Sequence, residues 1–347
     1  MNRTIRTAAH EPIPAAQSIA SSVAHAENEA VEVSLQDLLG LNRWTEQLSL
    51  KHLKIRSMMN GTYLSRVKGR GMEFDEVRLY APGDDVRCLD WRVTARTGKV
   101  HTKLYREERE RPIFLATDYR STMFFATRGV FKSVLAAKLA ALIAWIGNHH
   151  ADRVGGQIFT DYDTLEFKPR RGQPGILHLL KHLADLSSEL RQQSGPNAFT
   201  GTGNREIPRP EESLGSALER LERHARPGNL IFLFSDFRGL IPETELLLTR
   251  LTRHCDLILV LIYDPLESWL PERGLYRISN GVNRINLNLS DPRYHEEYRN
   301  KFRARQERLQ RLALKRGLKF LACSTVDEPL DVLARLFAGR CVPIASD

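Results

Sequence analysis

Three short apolar runs dictate most of what this chain can fold into. Residues 112–118 (PIFLATD), 229–236 (NLIFLFSD) and 256–264 (DLILVLIYD) are each one strand long, avoid water, and end in an aspartate. Such runs suit strands buried on both faces. Segments with helical spacing of apolar residues separate them, at 131–150, 175–192, 213–225 and 242–254. Strands alternating with helices of this length imply parallel βαβ units with right-handed crossovers. Parallel strands share a direction, so Asp118, Asp236 and Asp264 fall on one edge of the sheet. That is the C-terminal edge, outside which such sheets bind ligands.

The remaining segments fit around this sheet. Residues 154–160 read as another strand with a hairpin partner at 164–169, and 319–325 as a last strand before a helix at 329–339. The helix at 131–150 is apolar nearly all round and is therefore central. A Gly-, Pro-, Asn- and Thr-rich loop is expected over 194–212 and a β excursion over 274–289. The helix at 294–317 carries Arg299, Lys301, Arg303, Arg305, Arg308, Arg311, Lys315 and Arg316 around a stripe of Tyr298, Phe302, Leu309 and Leu312. Its basic face is either plainly solvated or a surface for an acidic partner. Upstream, short helices are expected at 34–41 and 45–59. The expected organisation is a disordered or loosely attached tail over 1–32, a helical lead-in and strand-rich unit over 33–110, and the α/β domain over 111–347.

The stretch 69–110 is unusual in interleaving charge with large apolar residues. Short strands are expected at 63–67, 77–80 and 100–105, with a turn at 81–84. Glu73, Arg78, Tyr80, Asp84, Asp85, Arg87, Asp90, Trp91 and Arg96 suggest arginine forks held against carboxylates, since a guanidinium meets a carboxylate through two parallel hydrogen bonds. The alternative is a polar face with surface ion pairs of about 0–1 kcal/mol each.

From Glu73 to Arg96 the string E-F-x-x-x-R-x-Y-x-P-G-D-D-x-R-x-x-D-W-x-x-T-A-R resembles the signature of the family catalogued as domain of unknown function 58. The resemblance continues through LIYDPLE at 261–267 and the C-terminal helix, over roughly residues 50–340. It implies a von Willebrand factor A-like domain, a doubly wound, mostly parallel sheet of Rossmann-type topology, behind a small strand-rich unit. Such domains bind Mg²⁺ or Mn²⁺ at the C-terminal edge through an Asp-x-Ser-x-Ser loop, a Thr and a later Asp. Here Asp118 matches the first Asp and Ser235-Asp236 the later strand end. Ser121 and Thr122 can offer hydroxyls, and the loop at 200–203 contains candidate threonines. Arg120, however, takes the first Ser position and cannot coordinate a cation. Two outcomes are open: a metal site at Asp118, Ser121, Thr122 and Asp236, or a degenerate one in which Arg120 replaces the metal's charge. The resemblance also implies a protein partner, a MoxR-type AAA+ ATPase, and a non-enzymatic adaptor role. The alternative is a metal-dependent hydrolase or nuclease using the same carboxylates.

Composition narrows little else. The net charge is +9 with both signs spread along the chain, which does not favour nucleic acid. Cys88, Cys255, Cys323 and Cys341 form no C-x-x-C pair. The first 22 residues lack the apolar core of a signal peptide, and the longest apolar segment, at 132–147, is too short to cross a bilayer. A cytoplasmic protein with no transmembrane segment is expected. Neither Gly-x-Ser-x-Gly nor His-Glu-x-x-His occurs.

Overall fold

The computed structural model describes residues 29–45, 64–65, 72–107, 112–193, 209–269, 275–279, 284–288 and 292–337. Helix α1 (Leu35–Gly40) starts at a reciprocal cap, in which Ser34 Oγ accepts from Asp37 N and Asp37 Oδ2 accepts from Ser34 N. This lead-in packs on the α/β unit. Val33 and Leu38 are buried, Trp145 donates its indole N–H to Leu38 O at 2.9 Å, and Phe131 N donates to Ala30 O. Residues 30–32, expected in the tail, are therefore half-buried against this unit. Residues 1–28 of that tail, and residues 46–59 of the second expected helix, lie outside the described residues.

The strand-rich unit is a three-stranded antiparallel sheet. Strands β1 (Leu64–Ser65) and β2 (Met72–Leu79) flank β3, which follows helix α2 (Trp91–Thr97) and spans His101–Glu107. Helix α2 was not expected from the apolar pattern. Its signals are the caps: Asp90 Oδ1 accepts from Arg92 N and Val93 N at 3.0 and 3.1 Å, and Gly98 takes the left-handed conformation at φ +70°.

The α/β unit runs β4 (Ile113–Asp118), α3 (Lys132–His149), β5 (Val154–Phe159), β6 (Thr164–Arg170), α4 (Gln173–Gln193), α5 (Pro210–His224), β7 (Leu230–Ser235), α6 (Pro242–Leu251) and β8 (Asp256–Tyr263). It continues through α7 (Pro265–Ser268), the hairpin β9 (Leu275–Ser279) and β10 (Arg284–Asn288), α8 (Pro292–Arg316), β11 (Lys319–Ser324) and α9 (Pro329–Phe337). The sheet order is β11-β8-β7-β4-β5-β6, with only β6 antiparallel. This is the doubly wound, Rossmann-type order expected from the sequence.

Alternation along the central strands builds two cores. Ile113, Leu115, Phe232, Phe234, Ile258 and Val260 face one layer with α3, α4 and α9. Phe114, Ala116, Ile231, Leu233, Leu257 and Leu259 face the other with α5, α6 and α8. Both faces are covered, so the central strands need no polar alternation. The buried alanines of α3 let that helix lie close to the sheet, and only Lys138 and the last residues of the helix escape burial. The parallel winding brings the ends of β4, β7 and β8 together on one edge.

Candidate functional site

At that edge the strand-end carboxylates meet cations. Asp118 is fully buried, and the Arg120 side chain folds back onto it. Arg120 Nε donates to both Asp118 oxygens at 3.0 and 3.1 Å, and Nη2 donates to Oδ2 at 2.6 Å. The Arg120 backbone N–H also donates to Asp118 Oδ1 at 3.0 Å. The guanidinium then ties two loops down: Nη1 donates to Pro210 O at 3.0 Å and to Arg238 O at 2.9 Å. Ser235 Oγ donates to Asp118 Oδ2 at 2.6 Å and accepts from Phe237 N. Burial opposes the charge on Arg120, but the Asp118 carboxylate overcomes it and raises the guanidinium's pKa.

Asp236, also fully buried, is held by a second cation. Lys132 Nζ donates to Asp236 Oδ2 at 2.9 Å and to Glu267 Oε1 at 2.8 Å. Arg238 Nη2 donates to the same Glu267 oxygen at 2.9 Å, while its backbone N–H donates to Asp236 Oδ1. Arg120 Nη2 stands 3.5 Å from Asp236 Oδ1. Burial alone would raise the Asp236 pKa; Lys132, then Arg120 and Arg238, outweigh it and hold the carboxyl far below its ordinary range. Three carboxylates thus face three cations in one closed network, and leaving either sign unpaired there would be costly.

The loop after β7 is bent to fit. Phe237 is buried at φ +50°, a conformation that is strained for a bulky side chain and tends to occur at functional sites. Gly239 follows at φ +90°, where a Cβ would collide with Pro210 O. That close approach lets Pro210 O and Arg238 O share one guanidinium group.

Asp264 forms a separate knot. It accepts from Thr127 N at 2.7 Å, Thr127 Oγ1 at 2.6 Å, Leu266 N at 2.9 Å and Thr325 Oγ1 at 3.1 Å. Burial opposes its ionisation, and these four donors prevail, lowering its pKa. Asp264 therefore shares the edge but braces the 124–131 loop against β8 and β11 instead of joining the network.

The expected metal ligands do not converge. Ser121 is exposed, and its backbone N–H donates to Asp161 Oδ2 at 2.7 Å. Thr122 Oγ1 is buried and has no hydrogen-bond partner among the described residues, and residues 200–203 lie outside them. A divalent cation needs carboxylate oxygens free to bind it. Here Arg120, Ser235 and Lys132 already take those of Asp118 and Asp236. As arranged, the residues do not fit a metal, and the described residues hold no group of three or more His, Cys, Asp or Glu able to bind one.

Sequence reasoning found Asp118, Arg120, Ser235 and Asp236 but missed Lys132, Glu267, Arg238 and Arg305. Lys132 had a signal: a lysine opening a helix that is otherwise apolar all round. Arg305 had one too. It continues the four-three spacing of Tyr298, Phe302, Leu309 and Leu312, so it sits within the apolar stripe, and its Nη1 donates to Asp236 O at 2.9 Å.

In the strand-rich unit the structure divides the expected network. Arg78 Nη2 pairs with Asp84 Oδ1 at 2.7 Å, and Asp84 Oδ2 accepts from Ala81 N, closing the 81–84 turn. Asp85 and Asp90 are caps, Asp90 also standing 3.6 Å from Lys103 Nζ. The Arg87 and Arg96 side chains are exposed, and so is Trp91, at 69%. Tyr80 joins Val100 through its backbone, and the Glu73 side chain lies outside the described residues. Arg87, Arg96 and Trp91 thus face solvent, and only Arg78 keeps the expected fork on a carboxylate among the described side chains.

Several proteins are similar to this chain. The "Uncharacterized protein Rv1480" of Mycobacterium tuberculosis is 27% identical over 297 residues, covering 85% of this chain and 88% of that one. Among solved structures, "conserved hypothetical protein BatB" from Bacteroides thetaiotaomicron aligns over 67% of this chain and 98% of its own, with 13% identity and a TM-score of 0.38. The manganese-loaded TRAP protein of Plasmodium vivax aligns over 56% of this chain and 62% of its own, with 14% identity and a TM-score of 0.26. The family model described as "Protein of unknown function DUF58" matches residues 76–313, and the chain belongs to that family.

Proposed function

We propose that this protein is a non-enzymatic interaction module, a cytoplasmic adaptor that docks a MoxR-type AAA+ ATPase or its target through the C-terminal edge of the sheet, without a bridging metal. The observation that carries this reading is the buried Arg120–Asp118 pair. The guanidinium neutralises the Asp118 carboxylate and holds the loops at Pro210 and Arg238 in one arrangement. A rigid, charge-balanced edge suits recognition, whereas metal-dependent hydrolysis asks for carboxylates free to hold an ion and activate water. The degenerate site is then a structural clasp under the docking face. The strand-rich unit supplies a second contact: Leu79, Val86 and Trp91 are more than half exposed beside Arg87, Arg92 and Arg96. Exposed tryptophan and arginine are the residue types that most often anchor protein interfaces. Among the described residues no helix is long and apolar enough to cross a membrane.

The test is co-purification of the tagged full chain from its native lysate, with and without EDTA. An AAA+ ATPase retained in both samples is the expected result. Loss with EDTA would overturn metal-free docking, and no ATPase in either would overturn the adaptor role.

A further inference from the structure

Beside the closed network lies a cleft of about 330 Å³, lined by Arg238, Glu267, Tyr298, Lys301, Phe302 and Arg305. Two features of its walls are unbalanced. The first is charge. Arg120, Lys132 and Arg238 are matched by Asp118, Asp236 and Glu267, and Arg305 is left over. Arg305 is half-buried within the apolar stripe of α8 and donates to a neutral carbonyl, Asp236 O, but no described carboxylate lies within ion-pair distance of it. Burial accordingly lowers its pKa. The second is a buried acceptor. Lys132 and Arg238 both bind Glu267 Oε1, while Glu267 Oε2 accepts no hydrogen bond from any described residue.

A ligand that balances the cleft brings one negative charge to Arg305, while Glu267 Oε2 stays sealed within the network. Phosphate brings too much charge, because a dianion would face Glu267. A carboxylate brings a single charge, and the methylenes of an acidic side chain suit Phe302. We propose that this cleft receives one Asp or Glu side chain of the docking partner, its carboxylate on Arg305 with Lys301 at the rim. This deepens the docking reading above and rests on it for the identity of the ligand as a protein. Recognition here is by fixed cations, so it needs no metal. The volume admits one side chain and leaves specificity to the surrounding face.

The probe is acetyl-Gly-Asp-Gly-amide, titrated at low ionic strength into the full chain labelled with ¹⁵N-arginine, reading the arginine Nε–H resonances. The expected result is a saturable shift of the Arg305 and Arg238 signals. Binding should weaken about tenfold or more in Arg305→Gln and by less in Lys301→Gln, which leaves the interior network intact. The Asn analogue, acetyl-Gly-Asn-Gly-amide, should produce no saturable shift. Should Arg305→Gln fail to fold, the Asp–Asn comparison on the parent chain and on Lys301→Gln still decides. No saturable shift, or equal response to the Asn peptide, overturns the proposal. Acetate or inorganic phosphate binding the same arginines as tightly as the peptide also overturns it, in favour of a free-anion site. If a partner is captured from lysate equally well by Arg305→Gln, this inference falls while the adaptor reading stands. If no partner is captured at all, the adaptor reading falls and the peptide titration still reports on the cleft.

Discussion

Replacing Arg120 with methionine is the sharpest perturbation of the closed edge, because it keeps much of the side-chain length and removes only the guanidinium. Asp118 would keep the Ser235 hydroxyl and the backbone N–H of residue 120, but lose the side chain's Nε and Nη2 donors. The carbonyls of Pro210 and Arg238 would lose the donor they share. Removing one partner of a buried pair costs ~3–5 kcal/mol. A domain of this size shifts by ~2–4 °C per kcal/mol, so the melting temperature should fall by ~6–20 °C. The assay is thermal denaturation at pH 7 of the parent, Arg120→Met, Asp118→Asn and the double variant. The double should cost clearly less than the two singles together, because each single leaves the other partner exposed to the same loss. A melt of Arg120→Met within ~1 kcal/mol of the parent, or strict additivity, would refute the reasoning.

Three further outcomes follow from the same geometry. Asp236 and Asp264 have pKa values held below the ordinary carboxylate range, so the stability they contribute is fully present above that range and is lost as the pH falls through and below it; acid unfolding should be shallower in Asp236→Asn, and an unchanged slope between pH 4 and 2 would contradict the assignment. Asp264→Ala removes the acceptor for four donors and should cost about 2–4 kcal/mol by urea denaturation, with proteolysis appearing first in the 124–131 loop; a change under about 0.5 kcal/mol would show that the knot is dispensable. In the strand-rich unit, Trp91→Ala and Arg87→Ala should leave the melt within about 0.5 kcal/mol of the parent while weakening partner capture; a sharp loss of stability would return these residues to an internal network.

The sheet and the edge where its carboxylates gather were legible because both follow from local pattern. Apolar runs of strand length reveal buried strands, and the aspartates ending them fix where the carboxylates gather. Arg120 was legible as a departure, a fixed positive charge where a coordinating hydroxyl belongs. Lys132 and Glu267 were not, since their meeting depends on α3 and α7 being brought together across 135 residues of chain. Arg305 was hidden among the basic residues of its helix, although its place in the apolar stripe distinguishes it from exposed Arg299 and Arg303. Helix α2 was missed because none of its residues is buried, so hydrophobic periodicity carried no information there and only the Asp90 and Gly98 caps marked it. The same exposure of Trp91 explains why aromatic residues interleaved with charge suggested a buried network: composition alone does not tell an interface from a core.

The most direct test of the closed edge is calorimetric titration of Mn²⁺ into the full chain and into Arg120→Ser, with melts recorded at the same metal concentrations. With Arg120 and Lys132 seated on the carboxylates, the parent should show no saturable heat and no rise in melting temperature. Arg120→Ser, which restores an oxygen ligand beside Asp118, should bind Mn²⁺ measurably more strongly than the parent. Saturable binding to the parent that disappears in Asp118→Ala would contradict the replacement of metal by Arg120.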